Sequence, residues 1–345
     1  MLPLPLGLSR EADQSRGEGG LPQAKPGGRG GRSAALVLLL ATPAAAKTLA
    51  VGPGQPFDRP SAAIRAAQPG DTVLIEPGEY YDCASWSTPS LTIAGHGPGA
   101  VLTDTTCQGK AILVAGGSGA TIRDLTLARA RVADGNGAGI RLEAPDLLVE
   151  RVTFANDEAG LLSGVQGGAI TVTDCRFEGG GSVGQHWTYA ILAGPAAALV
   201  VRGSVFIGGQ GGYVSSDAGE TVLSGNSFSS DRLLPAVIAS GRLTLEDNTF
   251  TSGLETAGTP MAVLATGDAG PVLRRNRLLH SATRMVLLRN WTGDTPILEG
   301  NEVPPRDQEV SEDGALRHRL SSAAHAAKDG LRSLAGRGKR FILGQ

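Results

Sequence analysis

The chain is poor in several things that would make its function easy to read. Aromatic residues occupy only 4% of its 345 positions, so any core must be built chiefly from aliphatic side chains. Five histidines are scattered without the spacing of metal ligands, which removes the usual zinc signatures. The stretch CQGKA (107–111) lacks the leading Gly and the Ser/Thr of a phosphate loop, and no strand-Gly-helix context supports a nucleotide site. Lysine is scarce, and the helix formers never gather into long amphipathic runs. The apolar run AALVLLLAT (34–42) is too short to span a bilayer, so no transmembrane segment is expected.

Glycine, by contrast, is abundant: 50 residues without a G-X-Y period, which implies many tight turns and not collagen. The length suits one large domain or two ordinary ones. Composition therefore points to short strands separated by turns.

The ends differ from the middle. Arg29 and Arg32 precede the apolar run, and Ala44-Ala45-Ala46 fits a small-residue cleavage site. Residues 1–46 read as a targeting segment, with a mature chain beginning near Lys47 and a secreted or periplasmic location. Between Lys47 and Ala315 stand 19 Lys and Arg against 29 Asp and Glu, an acidic body that argues against nucleic acid as the ligand. Residues 306–345 form a basic tail, expected to be partly helical or mobile; from Leu316 onward it has seven basic residues and one acid.

Between these ends, at 47–305, runs a repeat. TVLSGNSF (221–228) and LTLEDNTF (243–250) share Leu at the third place, Asn at the sixth and Phe at the eighth. The same frame fits ATIRDLTL (120–127), LLVERVTF (147–154), ITVTDCRF (170–177), LVVRGSVF (199–206), PVLRRNRL (271–278) and PILEGNEV (296–303). Places one and three share a strand face, as do six and eight, but the step from three to six is odd. A bend between them turns both pairs inward, so each octet reads strand, corner, strand. A further apolar strand follows, as in YAILAG and MAVLAT. Three short strands per unit of 22 to 29 residues make a solenoid of about ten coils. Asn226, Asn248, Asn276 and Asn301 fall in register at the sixth place, where an inward amide can satisfy groups that the bend leaves unpaired. Cys83 and Cys107 lie one repeat apart, so in an oxidising compartment they are expected to pair, adding about 3 kcal/mol. Cys175 would stay free and buried.

The octets and the asparagine ladder resemble right-handed parallel β-helix proteins of the pectin-lyase-like superfamily. PSAAIRAAQPGDTVLIEPGEY (60–80) is similar to the entry of such solenoids, which implies a capping helix around Ser61–Ala67. YYDCASW, Cys107 and DGNGAGIRLEAPDLLVERVTFANDEAGLL resemble a group of exported proteobacterial β-helix proteins. The implied fold is all-β. Two known activities of the superfamily have no counterpart here. Neither the paired Asp with Gln and Arg of the methylesterases nor the Lys- and Arg-rich face of the pectate lyases is present.

Aligning the turns after the eighth place gathers the polar candidates. Asp134 and Asn136 stack near Asn156, Asp157 and Glu158, followed by Gln185, His186, Trp187 and Tyr189, then Gln210 and Tyr213. Glycoside hydrolysis needs two carboxyls about 5 Å or about 6.5–9.5 Å apart, and Asp134 with Asp157 or Glu158 is the candidate pair. A lyase or epimerase would need the substrate carboxylate neutralised, here by Ca2+ on Asp134, Asp157 or Glu158, with His186 or Tyr189 as base. Trp187 and Tyr213 would stack on sugar rings. The reading is an exported monomer that recognises a polysaccharide, with cleavage or epimerisation as extensions. The alternative is a non-catalytic envelope or surface scaffold, since DGNG and NDEAG are good turn sequences in their own right.

Overall fold

A computed structural model describes residues 45–180, 189–209, 211–230, 235–252, 261–279, 284–312 and 314. The chain winds as a right-handed parallel β-helix whose coils each contribute one strand to three sheets. The first sheet has eleven strands, from Thr48–Val51 to Ile297–Glu299. The second has nine, from Gly78–Tyr80 to Arg277–Leu279, and the third has ten, from Ala84–Trp86 to Gln308–Ser311. These counts match the expected ten or so coils, and each octet spans a first-sheet strand, a corner and a second-sheet strand.

The corner is made by its fifth place, which takes a left-handed conformation. Gly203, Gly225 and Gly300 do so without steric cost, while Asp124, Asp174 and Asp247 are short polar residues that tolerate it. Arg151 and Arg275 take the same conformation. The turn reverses the strand parity, so the sixth and eighth places both point inward. Phe154, Phe177, Phe206, Phe228 and Phe250 stack in a column with centroids 4.6, 4.6, 4.8 and 5.0 Å apart. That spacing is the distance between neighbouring strands, so the backbone ladder sets the ring stack. Leu127 and Leu278 continue the column at its two ends.

The sixth place carries the polar ladder. Asn248 Nδ2 donates to Leu223 O at 2.9 Å and to Asn276 Oδ1 at 3.0 Å, while its own Oδ1 accepts from the backbone N–H and Nδ2 of Asn226, both at 3.0 Å. Asn226 and Asn276 repeat the pattern, and Asn301 ends it on Glu309. Asn248, Asn276 and Asn301 each satisfy four groups and Asn226 three, where an unmade buried bond would cost about 1–3 kcal/mol. Ser204 Oγ takes the backbone N–H of Cys175 in the same column at 3.1 Å. Cys175 is buried and its thiol is pushed up to about 12 by desolvation.

The N-terminal end is closed as the resemblance implied. The helix Pro60–Ala66 buries Ala63 and Ile64, starts with Pro in its first turn, and has the Ser61 N–H bonded to Asp82 Oδ2 at 2.8 Å. Asp71 pins the entry: its carboxylate accepts the N–H groups of Gln68 and Lys47, which hold it below the usual carboxylate range. Cys83 and Cys107 are joined, as their one-repeat separation led us to expect. The targeting segment, apart from Ala45 and Ala46, lies outside the described residues, as does the tail from 315 onward.

Candidate functional site

Solenoids keep their repeat at some corners and release it at others. Between the first and second sheets the corner holds two residues, as at 124–125 and 151–152, in every coil but one. Between the second and third sheets the connection ranges from 156–158 to 179–190. The polar candidates sit on these variable connections. Second-sheet pairing puts Ala128, Ala155, Glu178 and Ile207 in one row, so Arg129, Asn156, Gly179 and Gly208 follow in register, all left-handed.

The residue after a left-handed corner points inward, and Asp157 obeys the rule. It is 4% exposed, and its Oδ1 accepts the Ala130 N–H of the preceding coil at 2.8 Å. Oδ2 is buried without a hydrogen-bond partner among the described residues. Burial drives its pKa well above the usual carboxylate range, opposed only in part by the Ala130 N–H. Burial thus favours the neutral form of the carboxyl. It borders a cavity of about 20 Å3, room for one water, with Phe154, Phe177, Gly160 and Tyr213 around it.

Glu158 is a staple. Its Oε2 accepts the N–H of Gly137 at 2.7 Å and of Val132 at 3.1 Å, closing the loop that carries Asp134 and Asn136. Arg131 ties the same loop down by donating to the carbonyls of Ala130 and Asn156. At its tip, Asn136 Nδ2 donates to Asp134 Oδ2 at 3.1 Å. Asp134 and Asn156 are exposed, and Asn136 is half-buried. The five residues share one face, but their roles divide: Asp157 faces the interior, Glu158 faces main chain, and Asp134, Asn136 and Asn156 face solvent. Among the described residues no three His, Cys, Asp or Glu side chains converge, Asp134, Asp157 and Glu158 included.

Tyr213 corrects a sequence expectation. It was assigned to a sugar-stacking surface, yet its ring is 1% exposed, tilted against Phe206 and Phe228 at centroid distances of 5.6 and 6.1 Å. Its hydroxyl donates to Ser229 O. The ring extends the phenylalanine column sideways because it immediately precedes the third-sheet strand Val214–Ser216. Tyr189 is half-buried, and desolvation raises its phenol pKa, which disfavours it as a base. Its ring lies where a side chain at Gly212 would overlap it, so only glycine fits there. Gln185, His186, Trp187 and Gln210 lie outside the described residues.

A second feature escaped the sequence reading. The exceptional corner, His96-Gly97-Pro98-Gly99, holds four residues where its neighbours hold two. It overhangs a groove of about 640 Å3 floored by the following coils, with Arg123, Asp124, Arg151, Thr126 and Thr153 in its lining. The octet frame was recognised from residue 120 onward. The signal was the extra pair of residues in GHGPGA, visible only once the earlier coils are aligned.

Residues 110–253 match the family model described as right handed beta helix region. No curated protein matches the sequence significantly. Among solved structures, ORF18 of Geobacillus virus E2 is similar at 12% identity with a TM-score of 0.51, covering 72% of this chain and 56% of that one. The chain thus spans little more than half the length of that protein. Pectin methylesterase PemA from Erwinia chrysanthemi shares 11% identity over 80% of this chain and 95% of its own, with a TM-score of 0.43. Pectin methylesterase from carrot shares 13% over 77% and 88%, with a TM-score of 0.41. At 12% identity the likeness to ORF18 is one of fold alone.

Proposed function

For a right-handed parallel β-helix with this surface, we propose recognition of a polysaccharide outside the cytoplasm, on the face formed by the connections from the second to the third sheet. The observation that carries the reading is the concentration of length variation on that face. In a repeat fold, insertions often gather on the binding face, and these connections run from three to twelve residues against two to six between the third and first sheets. Asp134 and Asn136 offer a carboxylate and an amide side by side, already oriented by their mutual bond and by the Glu158 staple. Asn156 stands exposed on the adjacent coil. Such fixed planar groups suit sugar hydroxyls.

Binding is better supported than cleavage. A glycosidase needs two carboxyls that both reach the scissile bond. Asp157 is turned to the interior and Glu158 is occupied by two main-chain N–H groups. The Cys83–Cys107 bridge supports an oxidising compartment, secreted or periplasmic. A monomer without nucleic-acid partners remains part of the proposal.

The test is a glycan-binding screen with the full chain, run beside assays for reducing ends and for unsaturated products. Retained binding without either product, lost in Asp134→Ala and Asn136→Ala, is the expected result. Product formation that survives both substitutions would overturn the assignment of this face, and silence across the panel would favour the envelope-scaffold alternative.

A further inference from the structure

The overhung groove is an independent feature with its own chemistry. Its wall exists because Gly95 has no side chain: a Cβ there would overlap the carbonyl oxygen of Asp124 on the next coil. The wide corner is thereby drawn down close to its neighbour. Across from it, Arg151 grips Asp124 with two bonds, Nε to Oδ1 at 2.6 Å and Nη2 to Oδ2 at 3.1 Å, and Arg123 Nη1 reaches Oδ2 at 2.6 Å. Two guanidiniums are thus held on one carboxylate, with Nε and Nη2 of Arg123 making no bond among the described residues.

The charge count decides what such an array can hold. Arg123 and Arg151 are offset by Asp124 and by Glu150, which lies 3.8 Å from Arg151 Nη1. His96 stands 3.0 Å from Glu76. An anion entering the groove would meet three carboxylates nearby, and a cation would meet two guanidiniums. A neutral polyhydroxyl ligand is repelled by neither set of charges and finds fixed donors and acceptors. Thr126 and Thr153 add hydroxyls from the second sheet, and Pro98 and Leu74 supply apolar contact for C–H faces. The volume falls within the range of about 300–1,000 Å3 of small-molecule sites. Because the bidentate grip fixes the side chains before binding, little rotamer entropy remains to be lost.

We propose that this groove binds neutral sugar units of a polysaccharide, through hydroxyls held by the Arg123–Asp124–Arg151 array beneath the 96–99 overhang. The proposal rests on the polysaccharide reading above and gives it a substrate class. It adds a subsite across the second sheet from the variable connections.

The full chain is titrated calorimetrically with hexasaccharides of glucose, mannose and xylose, and with hexagalacturonate as the acidic probe. Two variants are compared: Arg151→Lys, which keeps the charge but loses the planar grip, and a chain with 96–99 shortened to two residues, the length of every other such corner. At least one neutral hexasaccharide is expected to bind, with hexagalacturonate at least tenfold weaker. Both variants should bind the neutral probe at least tenfold more weakly at an unchanged melting temperature. Equal binding by both variants, or tighter binding of hexagalacturonate, overturns the proposal. If Asp134→Ala and Asn136→Ala abolish binding while the groove variants do not, the groove is refuted and the variable face stands. Failure of every probe to bind removes both. Should the shortened chain melt early, Arg151→Lys alone decides.

Discussion

The carboxyl of Asp157 and the backbone N–H of Ala130, 27 residues apart in sequence, meet at 2.8 Å across one coil of the helix. The same geometry recurs at the other corner, where the side-chain oxygens of Asn226, Asn248 and Asn276 take N–H groups from the preceding coil. Asp157 is a rung of that kind written with an acid, and its second oxygen has no partner among the described residues.

Asp157→Asn should therefore stabilise the protein, and more so as pH rises. The folded pKa of Asp157 is raised, so both states hold the proton in strong acid and no penalty exists there. Above the ordinary Asp value the unfolded chain loses the proton while the folded chain keeps it, and stability falls by about 1.4 kcal/mol per pH unit until the folded group ionises. The variant escapes this loss. Urea unfolding of both proteins should give similar midpoints near pH 4 and a higher midpoint for the variant at pH 8; a gain that shrinks with rising pH would refute the account.

Glu158→Ala should free a loop without unfolding the core. Its carboxylate holds the N–H groups of Val132 and Gly137, both outside the sheets. Hydrogen exchange at those two amides should accelerate at least tenfold, with the amides of Ile140 and Val149 unchanged. The melting temperature should drop by about 6–12 °C, since two such bonds are together worth about 3–6 kcal/mol and each kcal/mol is about 2 °C in a domain of this size.

The interior of the asparagine ladder should be far more sensitive than its end. Asn248→Ala leaves the donors at Asn226 and the acceptors at Leu223 and Asn276 without their partner, in a site with no solvent access. A loss of about 3 kcal/mol or more is expected, against roughly 1 kcal/mol for Asn301→Ala, which is half-buried. Denaturant unfolding of the two variants measures the difference directly.

Thiol chemistry should separate the three cysteines. Reduction of Cys83–Cys107, or Cys83→Ser with Cys107→Ser, should cost about 3 kcal/mol through loop closure. Cys175 has its pKa at about 12 and is 2% exposed, so a thiol reagent should label it only at the rate of unfolding. Prompt labelling in the native protein would contradict its burial.

The fold was legible because the repeat states its geometry three times per octet. An aliphatic third place, an inward sixth place and a Phe, Leu or Val at the eighth recur from Ile122 to Val303, and strand parity does the rest. The site was legible only as a location. Aligning the turns placed Asp134, Asn136, Asn156, Asp157 and Glu158 on one face, but not which way each side chain points. For Asp157 a rule was available: it follows Asn156 as Asn226 follows Gly225, and both of those corner residues are left-handed. No comparable signal existed for Glu158, whose partners are main-chain N–H groups indifferent to sequence. Tyr213 deceived because an aromatic residue beside a turn reads alike whether its ring packs on a core or on a ligand. The groove went unseen because the frame was read from a coil downstream of the irregular corner.

The left-handed corner also bears on how such a gene can change. Each coil exchanges its main-chain bonds with its nearest neighbours alone, and Gly203 and Gly225 occupy equivalent positions. Excising residues 203–224 would join Arg202 to Gly225, place Phe228 over Phe177, and leave every remaining rung with a partner. The copy number of coils is then a heritable variable separate from the sequence of any coil. A lineage could lengthen or shorten the binding surface by whole-unit duplication or loss without passing through an unfolded intermediate form.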